Sequence, residues 1–141
     1  MTRVDFYILA DSSGDSREIY ACRIAEKAYM LGRHVFLHGE SEEQAQRLNE
    51  LLWTFRPGSF IPHGLQHENP TAAVTIGHGF EPVENTDVLI NLAQSAPVFF
   101  SRFERVAEIV DQSPLHKDSA RERFRFYRDR GYELQHHHIQ Q

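Results

Sequence analysis

Between Lys117 and Arg130 the chain carries six Lys/Arg and three Asp/Glu, interleaved with Phe124, Phe126 and Tyr127. That segment is +3 in a chain that is −5 overall, so the remainder is −8. On a helix, at about 100° per residue, Lys117, Arg121, Arg125 and Arg128 fall within about 80° of one another, and Phe124 projects from the same sector. An aromatic ring inside a cationic stripe can hold an extended anion that ends in an apolar group. Guanidinium forks grip carboxylates in pairs, while the ring and the methylene stems accept the apolar end. An acidic peptide with a hydrophobic terminus has this chemistry, and so does single-stranded nucleic acid. A solvated amphipathic helix with no specific ligand carries the same pattern.

A second group surrounds Trp53. The apolar stripe Ala45, Leu48, Leu52 and Phe55 marks one helix face, and Trp53 lies roughly 130° from its centre. Pro57, Phe60, Ile61 and Pro62 follow closely. A tryptophan turned from the core beside a proline-edged apolar loop has the make-up of a protein interface, where such anchors dominate. Burial under the following loop is the alternative.

Other constellations do not reach chemistry. The segment Asp11 to Ser16, DSSGDS, has neither GxxxxGK[ST] nor GxGxxG, and its aspartates have the wrong charge for a pyrophosphate. Gly77-His78-Gly79 reads as a turn. His63 and His67 are separated by a stretch opening on Gly64, just after Pro62, which removes the helix needed to place both rings on one metal. His136 to His138 reads as a solvated tail, although any short histidine run can bind metal. No nucleophile with a placed base, and no paired carboxylates at strand ends, stand out. No catalytic residue, metal site or cofactor is expected.

Val4 to Ala10 reads as a strand ending in a Ser/Gly loop. Ala21, Ile24, Ala25, Ala28 and Leu31 recur at helical spacing before Gly32. His34 to His38 is a second strand. Ser41, with Gln44 closing a capping box, opens the second helix, which Pro57 and Gly58 stop. Phe60 to His63 is a short extended piece, His67 to Ala73 a polar loop, and Val74 to Ile76 a possible strand. The apolar run Val88 to Leu92 is expected to be a central strand covered on both faces. Phe103 to Val110 is ambiguous between strand and helix, and is read as a strand because Pro114 and the charged helix follow. The basic segment Leu115 to Leu134 forms a helix closed by Gly131, and Tyr132 to Ile139 is an extended tail. Alternating strands and helices predict a single α/β domain: three α/β/α layers around a mostly parallel, Rossmann-like sheet.

At 141 residues with 40% hydrophobic and 25% charged content, the chain suits one globular domain with a true core. The apolar run Phe6 to Ala10 is too short for a signal sequence or a membrane span, so a cytoplasmic protein is expected. The single cysteine, Cys22, rules out an internal disulfide and reads as a buried, inert thiol. The acidic balance opposes broad coating of nucleic acid.

Taken in order, several segments resemble the chi subunit family of bacterial DNA polymerase III. They are FYIL near the start, Leu52-Trp53 followed by Ser59-Phe60-Ile61-Pro62-His63, Asp87-Val88-Leu89-Ile90-Asn91-Leu92, and Ala120-Arg121-Glu122-Arg123-Phe124 leading to Tyr127-Arg128 and Gly131-Tyr132. The resemblance implies a non-catalytic clamp-loader accessory subunit with an α/β fold. Chi pairs with the small psi subunit and, on a separate surface, binds the acidic, phenylalanine-ending C-terminal tail of single-stranded DNA-binding protein. By this resemblance the tail-binding positions are Lys117, Arg121, Phe124, Arg125 and Arg128. The psi-facing positions are Trp53, Pro57, Phe60, Ile61 and Pro62, a surface that a repair helicase could share. Little direct DNA binding and no membrane contact are implied. The chain departs from the family's pattern in a shorter connection between Val110 and Lys117 and in its His-rich tail. The competing reading is a small doubly wound enzyme acting on a phosphorylated ligand at the strand ends, which the missing phosphate loop opposes.

Overall fold

The computed structural model describes residues 1–82 and 87–140. Its strands are β1 (Arg3–Leu9), β2 (Val35–Gly39), β3 (His63–Leu65), β4 (Val74–His78), β5 (Val88–Asn91), β6 (Arg105–Val110) and β7 (Glu133–Ile139). Its α-helices are α1 (Ser16–Met30), α2 (Glu42–Thr54) and α3 (Pro114–Asp129). The seven strands form one sheet in the order β3-β4-β2-β5-β6-β1-β7, and every pairing is parallel.

Alternation along the strands divides the core. Leu37, Ile76, Ile90 and Ile109 pack with Ala21 and Ala25 of α1 and Leu48 and Leu52 of α2. Val4, Phe6, Leu89, Val106 and Val110 face the other way, against Ala120 and Tyr127 of α3, with Phe99, Phe100 and Phe103 completing that layer. Three layers result, as expected. The central position of β5 between β2 and β6 explains why Leu89, Ile90 and Asn91 are all fully buried.

Local signals act as their chemistry dictates. Ser41 Oγ accepts from the Gln44 backbone N–H at 3.1 Å, while Gln44 Oε1 accepts from Glu40 N–H at 2.7 Å, one residue earlier than in the usual reciprocal cap. At the end of α3, Gly131 adopts φ +79, and the N–H groups of Gly131 and Tyr132 bond back to the Arg128 and Tyr127 carbonyls. This left-handed stop turns the chain so that it can run beside β1.

Several expectations require correction. The extended tail is strand β7, paired in register with β1 from Arg3↔Glu133 to Leu9↔Ile139. The histidine run is therefore held in a strand, with His136 and His138 exposed on it: His136 stacks on Phe6 with ring centroids 5.7 Å apart, and His137 on Tyr7 at 4.8 Å. His137 Nε2 also lies 2.9 Å from the buried Asp5 carboxylate, which accepts from Arg3 and Arg105 as well. Burial alone would raise the Asp5 carboxyl, but these hydrogen bonds bring it below its ordinary value. Gly77 and His78 belong to β4, and only Gly79, at φ +70, makes the turn. A side chain at Gly77 would meet Gln66 and Phe36, so a close approach keeps glycine inside the strand. Phe55, expected in the buried stripe of α2, is only partly buried.

Cys22 is fully buried, and burial pushes its thiol up to about 12. A maleimide at pH 8 should therefore modify Cys22 only after denaturant is added, because the thiolate is the nucleophile. Rapid modification of the folded protein would contradict this packing.

Candidate functional site

The cationic stripe of α3 borders a depression of about 380 Å³ between that helix and the edge of the sheet. Phe6 and Ile8 of β1, Val110 of β6 and Ala120 of α3 form an apolar floor, and Phe124 and His136 line it from opposite elements. Lys117, Arg121, Arg125 and Arg128 form the charged rim. The five residues expected to bind a ligand are thus brought together. Phe124 is less free than the helix alone implied: it meets Phe6 edge-on at 5.8 Å and His136 at 5.1 Å, with the Arg128 guanidinium 6.0 Å from its centroid.

The rim cations also have partners on their own helix. Arg121 Nη1 lies 3.0 Å from Asp118, Arg125 Nη2 lies 2.7 Å from Glu122, and Arg128 Nη2 lies 3.1 Å from Asp129. Lys117 Nζ instead reaches the Gln112 amide oxygen at 3.4 Å. All three ion pairs are solvent-exposed, so each holds its arginine only weakly.

Arg123 corrects the charge count. It is buried, and its Nε donates to Glu108 at 2.7 Å, while Nη1 reaches the Gln94 carbonyl at 2.9 Å and Ser119 Oγ at 3.1 Å. Glu108, itself fully buried, also accepts from Tyr127 at 2.6 Å and from the Asn91 amide at 3.0 Å. Burial first, and then the Glu108 charge, push the Tyr127 phenol well above its usual value. Arg123 therefore pins α3 to β6 and adds nothing to the exposed charge. Sequence reasoning missed Phe6, Ile8, Val110 and His136 as the pocket floor and wall. The alternation along β1 separates Phe6 and Ile8 from Tyr7, yet which face α3 covers is a tertiary property.

The second group divides. Trp53 is 62% exposed and Phe60 82% exposed, and Pro57 and Pro62 are exposed too, but Ile61 is buried in the core at 4%. Ile61 therefore anchors the loop and is corrected from surface contact to core residue. Ser59 Oγ donates to Glu26 at 2.7 Å, and Arg56 pairs with the same carboxylate. The Trp53 indole lies 4.6 Å from the His63 ring, whose nitrogens contact the Ile61 and Asn49 carbonyls at 2.7 and 3.1 Å. Trp53 belongs to the α2 side next to edge strand β3, whereas the pocket lies under α3 at the β7 edge. The two surfaces sit on opposite faces and opposite edges of the sheet.

The crevice at the strand ends, where doubly wound folds place ligands, is a depression of about 290 Å³ lined by Arg17, Leu92 and His116 among others. Arg17 donates to the Ile109 and Leu92 carbonyls at 3.1 and 3.2 Å, and Nη1 lies 3.2 Å from His116 Nε2. A guanidinium has only donors, so Nε2 is the acceptor and Nδ1–H donates to Asp111 at 2.8 Å. Both imidazole nitrogens are engaged, which leaves no free lone pair for a general base.

Over residues 1–135 the chain matches the family described as DNA polymerase III chi subunit, HolC. The chain belongs to this chi subunit family. It is 46% identical over 139 residues to DNA polymerase III subunit chi of Pseudomonas aeruginosa, covering 99% of this chain and 98% of that one. The chi subunits of Haemophilus influenzae and Escherichia coli are 34% and 33% identical, with 92% and 95% of this chain covered. Among solved structures, the crystal structure of T4 UvsW aligns with TM-score 0.67 at 9% identity, over 99% of this chain but 42% of that one. That likeness concerns the fold alone. Membership in the chi family makes the chain an accessory subunit of the DNA polymerase III complex in replication. None of the described helices is long and apolar enough to cross a membrane.

Proposed function

We propose that this chi-family chain uses the pocket beneath α3 to bind the acidic, phenylalanine-ending C-terminal tail of single-stranded DNA-binding protein. We further propose that its Trp53–Phe60 surface docks psi. The chain would then couple the clamp loader to coated single strands in the cytoplasm, as a non-catalytic bridge. The observation that carries this reading is an apolar depression bordered on one side by four cations, in a chain of net charge −5. The floor suits a terminal phenyl ring and the rim suits the preceding carboxylates. The opposite placement of Trp53 supports two partners held at once. A repair helicase is a further candidate for that surface.

Calorimetric titration with an acidic peptide ending in phenylalanine tests the pocket. Binding should weaken as salt rises, because the rim is solvent-exposed and screened. A single-stranded oligonucleotide should bind far less, since the charge outside the helix repels an extended polyanion. Oligonucleotide binding stronger than peptide binding would overturn the assignment.

Trp53→Ala should weaken psi binding by more than about 1 kcal/mol, the threshold for an interface residue that matters. Because Trp53 is largely exposed, tail-peptide affinity and melting temperature should stay unchanged. If all three fall together, the indole is structural.

A further inference from the structure

We propose that Asp118 and Glu122 compete with a ligand for Arg121 and Arg125 on the rim of the α3 pocket, and thereby set its affinity and selectivity for multiply acidic peptides. This rests on the reading of the pocket as a peptide site. Measured from Lys117, the rim cations occupy about 0–80° around α3, and Asp118, Glu122 and Asp129 occupy about 100–140°. Ala120 and Phe124 lie on the opposite flank of the cations, toward the sheet. The order around the helix is therefore apolar floor, cations, acids.

Two of the rim arginines are paired on the acid side, Arg121 to Asp118 at 3.0 Å and Arg125 to Glu122 at 2.7 Å. Lys117 differs, since it reaches the neutral amide of Gln112, which also lines the pocket. A ligand carboxylate that takes one of these guanidiniums must displace the acid paired with it. One carboxylate recovers little of that cost. A run of carboxylates spaced along the helix replaces each acid in turn, so the acids select against sparsely charged ligands. The exposed pairs are weak enough to exchange and too weak to block the site.

The test titrates the acidic, phenylalanine-ending peptide into wild type, Asp118→Asn and Glu122→Gln, all at exposed positions where folding is not at risk. Each variant should bind about two- to fivefold tighter, the span of an exposed ion pair, with the gain shrinking at high salt. In an Arg121→Ala background the Asp118→Asn gain should vanish. Unchanged or weaker binding overturns the proposal, and so does a gain that survives in Arg121→Ala, which marks simple long-range repulsion. A wild-type protein that ignores the peptide sinks the pocket assignment instead. The holding contact is then read without ligand: by NMR, Asp118→Asn should mobilise the Arg121 side-chain Nε–H and leave that of Arg125 unchanged. An Arg121 signal indifferent to Asp118→Asn overturns the inference.

Discussion

Glu108→Ala should destabilise the protein by roughly 3–5 kcal/mol, the cost of leaving a buried charge without its partner. The carboxylate is fully buried and takes hydrogen bonds from Arg123, Tyr127 and Asn91. Its removal leaves the Arg123 guanidinium inside the protein with only the Gln94 carbonyl and the Ser119 hydroxyl. For a domain whose whole stability is on the order of 5–15 kcal/mol, the melting temperature should fall by about 10 °C or more. Replacing both partners by apolar residues of similar volume, such as Glu108→Leu with Arg123→Met, should recover much of the loss, because no charge is then stranded. A melting temperature within a few degrees of wild type for Glu108→Ala alone would show that the pair does not fix α3. The consequence reaches function, since α3 carries the stripe and its register against β6 decides where the stripe faces.

Arg121→Ala should cost roughly 1.5–3 kcal/mol of tail-peptide affinity, the range for a charge-assisted hydrogen bond. Arg121 sits one helical turn from both Lys117 and Arg125, and its loss also leaves Asp118 without its partner beside an acidic ligand. Removing the peptide's terminal phenylalanine should cost about 1.5–3 kcal/mol more, the value of burying such a side chain. The two losses differ in kind. The arginine effect should shrink with added salt, while the phenylalanine effect should not. Calorimetry on the two changes at low and high salt separates them. Binding indifferent to both, and to salt, would show that α3 is only a solvated face.

The cationic stripe illustrates where local information ends. Lys117, Arg121, Arg125 and Arg128 share a sector through helical periodicity alone, and the structure brings them to one rim. Arg123 has the same chemistry and the same helix, yet it is buried because the fold places Glu108 of β6 opposite it. Nothing within α3 distinguishes the two kinds of arginine by type. Their angular position does, but only once the covered face is known. Ile61 makes the same point against Phe60: adjacent residues of one extended loop point to opposite sides, and contact with the core decides which is the anchor.

Features that depend on neighbours along the chain were legible in the residues: the alternation of strands and helices, the stop at Gly131, the interior character of Val88 to Leu92, and the grouping of charge on one helix. Features that depend on pairing across the chain emerged with the fold. The extended tail became strand β7, because the free edge of β1 satisfies its backbone hydrogen bonds and Phe6 and Tyr7 stack on its histidines. That pairing brings His136 to the pocket wall and Phe6 and Ile8 to its floor, from positions more than a hundred residues apart. Period and capping are short-range properties of the backbone, whereas a concave site exists only where separate elements share a buried face.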